Sequence, residues 1–190
     1  MKKLLPFIFG VLCFVSCRDE KDVDPAKTAT FLRFFGSEHN HTAVLAMEAD
    51  NGYSLLSNMD IPVDNLGDFR YKIRFIHTDI YGNILWNREY PGFKEVVPDT
   101  LDGFSSSSFI NLSDGYLVIG DRIYTNGDTQ LQLLKIGLNG EVGQSVVLSS
   151  SPGTSLHGRA VTIDGSGDFI VLGNITGHPS NDMYIAKIDA

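Results

Sequence analysis

Six polar side chains recur at matched places along the chain and are the first candidates for chemistry. Three are acids, Asp68, Asp128 and Asp182; three more, Asn58, Asp121 and Asn174, follow short apolar runs. Oxygen ligands of this kind, brought together, suit a cation or the hydroxyls of a sugar. A close pair of acids with separated pKa values could hydrolyse a glycosidic bond. The same residue types also favour turns, because their side chains bond the neighbouring backbone. Equivalent acids are a poor match to a differentiated acid and base, so no catalytic residue is assigned.

Other clusters fall short of a site. Glu38-His39-Asn40-His41 places two imidazoles on one side of an extended strand, but no third ligand is near in sequence, and no metal site is assigned. Asp164-Gly165-Ser166-Gly167-Asp168 has oxygens at alternate positions, like the opening of a calcium loop. The closing acid is missing, with Asn174, Ile175 and Thr176 in its neighbourhood, so the segment is read as a turn. Ser105 to Ser108 has no His–Asp arrangement around it to make a nucleophile. Trp86 and Tyr90 alternate with Asn87 and Glu89, as aromatics that pack on one strand face do. No cofactor motif is present, and no cofactor is expected.

The chain that must position these residues has 190 of them, a formal charge of −8, 43% hydrophobic residues and 19 glycines. That composition suits a folded protein and excludes a wholly disordered one. With no basic surplus to neutralise phosphates, nucleic acid is not an expected partner. Both cysteines, Cys13 and Cys17, lie close to the start, which excludes a disulfide framework for the rest. Met1-Lys2-Lys3 and the apolar run Leu4 to Val15 read as a signal peptide; the run is shorter than the ~20 residues of a membrane span.

Phe14-Val15-Ser16-Cys17 resembles the lipobox of bacterial lipoproteins. The resemblance implies a signal peptide over 1–16 and lipidation at Cys17, followed by a tether to residue 30 and a folded domain over 31–190. Arg18 to Thr30 is polar and reaches up to ~40 Å when extended. Asp19, Glu20 and Asp22 resemble the export signal of surface lipoproteins in Bacteroidota. The implied location is the outer membrane, lipid-anchored, on its periplasmic or cell-surface face, with the membrane as partner through the lipid.

From Phe31 onward, short β-branched and aromatic runs alternate with Asn-Gly, Asp-Gly and Gly-Asp turns, an all-β pattern. Three copies of one segment stand out, beginning at Asn51-Gly52-Tyr53, Asp114-Gly115-Tyr116 and Gly167-Asp168-Phe169, with anchors 63 and 53 residues apart. Strands before and after each give four antiparallel strands in ~50 residues, the size of a propeller blade. Asp79-Ile80-Tyr81-Gly82-Asn83, continuing to Trp86 and Tyr90, resembles the repeats of bacterial β-propeller lipoproteins of the Bacteroidota. The implied fold is all-β, about three four-stranded antiparallel propeller-like blades, an incomplete propeller. Phe31 to Gly36 is expected to supply the strand missing from the third blade.

On that fold, Asp68, Asp128, Asp182, Asn58, Asp121 and Asn174 would ring a central axis as ligand-facing groups. The expected function is a non-catalytic binding or assembly module. It would use the loops Ile61–Gly67, Tyr124–Asp128 and Gly177–Asp182 against a glycan or an envelope protein, with a homo-oligomer completing the propeller. The alternatives are a glycan hydrolase and a fragment of a longer propeller protein.

Overall fold

Turn chemistry and period-two patterning divide the described residues into eleven strands. The computed structural model describes residues 31–49, 51–62, 69–91, 101–124, 127–149, 151, 153–177 and 181–189. The folded unit runs from Arg33 to Ala190. Its strands are β1 (Asn40–Ala49), β2 (Gly52–Pro62), β3 (Phe69–Asp79), β4 (Ile84–Pro91), β5 (Leu101–Leu112), β6 (Gly115–Tyr124), β7 (Thr129–Gly137), β8 (Val142–Leu148), β9 (Ser155–Ile163), β10 (Phe169–Thr176) and β11 (Asp182–Ile188). Asp79 shows how local chemistry sets a reversal. Its Oδ1 accepts the N–H groups of Tyr81 and Asn83 at 2.8 Å each, and Gly82 adopts the φ of +76° that the β3–β4 turn requires.

β1 to β4 pair antiparallel in sequence order, and so do β5 to β8. One parallel pair, Tyr71 with Gly103, joins β3 to β5 and makes a single eight-stranded mixed sheet. Glycine is needed there: a Cβ on Gly103 would run into the Tyr71 carbonyl. β9, β10 and β11 form a separate three-stranded sheet.

The core lies in two layers between these groups. Leu56, Ile73 and Phe75 from β2 and β3 pack with Phe104, Phe109, Tyr116 and Val118 from β5 and β6. Leu117, Ile119, Leu131 and Leu133 from β6 and β7 pack with Val161 and Val171 from β9 and β10. Successive residues of β6 point to opposite faces, and both faces are covered, so Gly115 to Gly120 is buried without a break.

The all-β class stands, and the propeller does not. Neither sheet closes or curls into a ring. β5 joins β3 through the single parallel pair of Tyr71 with Gly103, so two four-stranded groups share one open sheet in place of separate blades around an axis. Residues 31–36 form no strand, so no blade is shared between the two ends of the folded unit. Closure would also have to cover the outer side of β11, where Met183 and Ile185 are each 73% exposed. The likeness to β-propeller lipoproteins was therefore a likeness of strand and turn pattern. With it fall the propeller-face binding module, the glycan-active propeller enzyme and the homo-oligomer completing a ring.

The first layer contains an aromatic group that makes stability depend on pH. Trp86 stacks on Phe75 and His77 at 5.6 and 5.7 Å between ring centroids. His77 Nδ1 meets both the Ser54 hydroxyl (3.2 Å) and the Tyr116 phenol (3.3 Å), two groups able to donate to a neutral ring nitrogen. Burial lowers the His77 pKa below 6.5. The unfolded chain then binds a proton more readily than the folded one, so this contribution is complete above pH 6.5 and is lost as pH falls through the folded value. Urea denaturation at pH 7 and pH 5 should show stability falling between them, with a shallower fall in His77→Gln. An unchanged slope in that variant would remove His77 as the cause.

Candidate functional site

Five of the six recurring polar residues lie within the described chain; Asp68 lies outside it. Asn58 follows the apolar run of β2 and reaches β5. Its Oδ1 accepts the Ser106 N–H (2.8 Å) and hydroxyl (2.7 Å), while its Nδ2 donates to the Ser106 carbonyl (2.9 Å). Asp121 holds the same place on β6 and reaches β9. Its Oδ1 accepts the Gly158 N–H at 2.9 Å, and its Oδ2 lies 2.8 Å from His157 Nδ1. Each side chain thus ties one sheet layer to the strand that crosses the next. Asn174 is the third of the series, on β10, and accepts from Arg159 Nε at 3.4 Å within its own sheet. Asp128 closes the β6–β7 turn through its carbonyl, which accepts from Tyr124 N–H, and Asp182 begins β11.

The surroundings of Asp121 hold an acid–imidazole–hydroxyl arrangement. His157 Nε2 lies 3.2 Å from the Thr176 hydroxyl, giving the order acid, imidazole, hydroxyl of a nucleophilic relay. Its remaining contacts point to structure. The Thr129 hydroxyl reaches the same ring at 3.3 and 3.4 Å, and the second oxygen of Asp121 is held by Gly158. Tyr184 donates to the His157 carbonyl at 3.4 Å, and burial, with the Asp121 carboxylate, pushes its phenol up to about 12. The imidazole is enclosed between layers by groups that use its hydrogen-bonding capacity. Its partnership with Asp121 spans 36 residues and had no local signal in the sequence.

The other clusters are equally internal. In the β9–β10 turn, Asp164 Oδ1 accepts the N–H groups of Ser166 (2.8 Å) and Asp168 (3.0 Å). The Lys187 ammonium bridges the Asp164 and Asp168 carboxylates at 2.7 and 2.8 Å, in the place a calcium loop would give to a metal. Those bonds hold both carboxyls below the usual range and raise the lysine. His41 Nε2 pairs with the Ser37 hydroxyl at 2.8 Å. Among the described residues no three His, Cys, Asp or Glu side chains lie close enough to hold a metal ion. Trp86 is part of the aromatic group above, and the buried Tyr90 phenol donates to the Gly140 carbonyl at 2.7 Å, tying β4 to the β7–β8 turn. Cys17 and the centres of the three candidate loops, residues 63–67, 125–126 and 178–180, lie outside the described residues.

One face remains open. The register places Leu56 opposite Phe75, Ile119 opposite Leu133 and Leu172 opposite Ile185. It likewise places Asn58 opposite Ile73, Asp121 opposite Leu131 and Asn174 opposite Met183. In the first two layers the apolar members are 0–2% exposed, whereas Leu172 is 39% exposed and Met183 and Ile185 are 73%. No protein-family model matches the chain, and the search of curated proteins returned no match.

Truncating Asp121 to Ala should leave the Gly158 N–H unpaired between layers and take from His157 Nδ1 its closest partner. The expected loss is about 2–3 kcal/mol in urea denaturation, with a smaller loss for Asp121→Asn, which keeps one acceptor oxygen. Equal, negligible effects for both variants would show that the tie is dispensable.

Proposed function

We propose that this protein is a membrane-tethered interaction module that binds a protein partner across the outer face of β10 and β11. The carrying observation is the contrast within the repeat. Side chains buried by the next layer in the first two copies are exposed in the third, as Leu172, Met183 and Ile185. Contiguous exposed apolar surface of this kind marks protein contact sites, and a flat sheet face suits another protein better than a small molecule, which needs a concavity. The recurring acids and amides support the same reading, since Asn58 and Asp121 are occupied in holding layers together.

Tethering rests on the sequence. Cys17, behind the apolar run Leu4 to Val15, is the lipid site, and the polar stretch from Arg18 to Thr30 gives the folded unit reach from the outer membrane. Lipidation by more than one acyl chain gives firm anchoring, where a single chain binds only marginally. In cells that process bacterial lipoproteins, Cys17→Ser should move the protein from the membrane to the soluble fraction; retention in the membrane would overturn the anchor.

The binding face is tested by a photo-crosslinking residue at Met183 of the full chain, with the same residue at exposed Glu141 as control. A discrete adduct is expected from Met183, lost on Leu172→Glu, and none from Glu141. Identical patterns from both positions would remove the β10–β11 face as the site.

A further inference from the structure

The two layer contacts inside the chain specify what the open third face accepts. We propose that the partner docks a bulged β-strand of pattern large apolar, any, small, any, any, large apolar, and that Asn174 takes the backbone of its small residue. This rests on the reading that the β10–β11 face binds a protein.

Both templates have that form. Where β5 crosses the first layer, Phe104, Ser106 and Phe109 face it; Phe104 and Phe109 are buried in one cluster with Leu56, Ile73 and Phe75. Where β9 crosses the second, Leu156, Gly158 and Val161 take the same places, with Leu156 and Val161 packed in one cluster with Ile119, Leu131 and Leu133. The uneven spacing has a cause. The register of β5 shifts between Ser106 and Ser108, and that of β9 shifts beyond Gly158, so each strand carries one extra residue there. The third residue onward then shares a face with the small one, where regular pleating would give the second.

The small residue is a steric requirement. A Cβ on Gly158 would lie 2.6 Å from Leu131 and 2.7 Å from Ile119. Their counterparts on the open face are Met183 and Leu172. Asn174 matches Asn58 in chemistry, with one donor and one acceptor for the C=O and N–H of the crossing residue, as Asn58 uses them on Ser106.

The chain's own first strand does not meet the pattern. β1 has the bulge and a small residue, Ala43, but His41 and Ala46 occupy the two flanking places. Phe35 already shares the groove along β1 with Ala43 and Leu45. β1 is therefore not the occupant, and the proposal commits to a strand of a partner protein.

The probe is a peptide of residues 101–124, the β5–β6 hairpin, cyclised by a D-Pro-Gly link between its paired ends Leu101 and Tyr124. Circular dichroism checks its strand content. Titrated into the full chain, whose first layer is occupied by its own β5, it should bind saturably. Ser106→Leu in the peptide and Asn174→Leu in the protein should each weaken binding tenfold or more. Asn174→Asp should weaken it less, since Asp121 holds Gly158 by the acceptor alone. A folded hairpin that does not saturate at millimolar concentration, or binds equally to all variants, overturns the proposed pattern. If Met183 still gives its specific adduct, the binding face stands and only the partner chemistry falls; if that adduct is also absent, both fall. A dimer in light scattering that Met183→Glu dissolves would identify a second copy as occupant and likewise overturn the proposal.

Discussion

Everything in this fold depends on satisfying one peptide group per layer. A bulge breaks the regular ladder of its strand, and an N–H beside it must find another acceptor once the layer above excludes water. Ser106 and Gly158 stand at such bulges, and the acceptors come from the sheet beneath, Asn58 and Asp121. The polar bond fixes where the crossing strand lies, and the apolar contacts on either side follow from that placement. Dispersion and burial supply most of the energy, but they are non-directional; one oxygen sets the register between sheets.

The outer strands repeat the logic with other groups. Tyr90 ends β4 beneath the turn between β7 and β8, its phenol on the Gly140 carbonyl, and Trp86 packs within 3.1 Å of where a Cβ on that glycine would be. Burial raises the Tyr90 pKa, so the phenol stays protonated and keeps its donor. The sequence stretch that looks most like a functional motif, from Asp79 to Tyr90, therefore has two structural tasks. Its first half closes a hairpin through Asp79, and its second half joins the first antiparallel group to the second.

That division explains what could be read from residues alone. Strand class and turn positions are local properties: period-two alternation, and Asn, Asp and Gly where the backbone reverses, were legible without coordinates. The repeat anchored at Tyr53, Tyr116 and Phe169 was visible as well, but the three blades expected from it are one eight-stranded and one three-stranded sheet. Ring or stack is a different question. It turns on one contact, Tyr71 with Gly103, between residues whose types carry no mark of pairing. The recurrence of Asn58, Asp121 and Asn174 was visible too, but equal spacing cannot separate a ring of ligands from a column of ties. The partner decides, and Ser106 and Gly158 lie 48 and 37 residues away from Asn58 and Asp121.

The third layer tests whether the repeat is only architecture. If burial of the next strand were the sole reason for apolar residues opposite one another on β10 and β11, a layer with nothing above it among the described residues would tend toward polar side chains, as solvent-facing strands do. Yet Leu172, Met183 and Ile185 keep the apolar character of Leu56, Ile73 and Phe75, and Asn174 keeps the amide of Asn58. Lys187, two residues beyond Ile185 on the same face of β11, shows that charge is tolerated on this face where it answers Asp164 and Asp168. Apolar side chains and an amide in the arrangement that twice receives a crossing strand are thus a surface with its contact chemistry already in place. Only the strand is supplied from elsewhere.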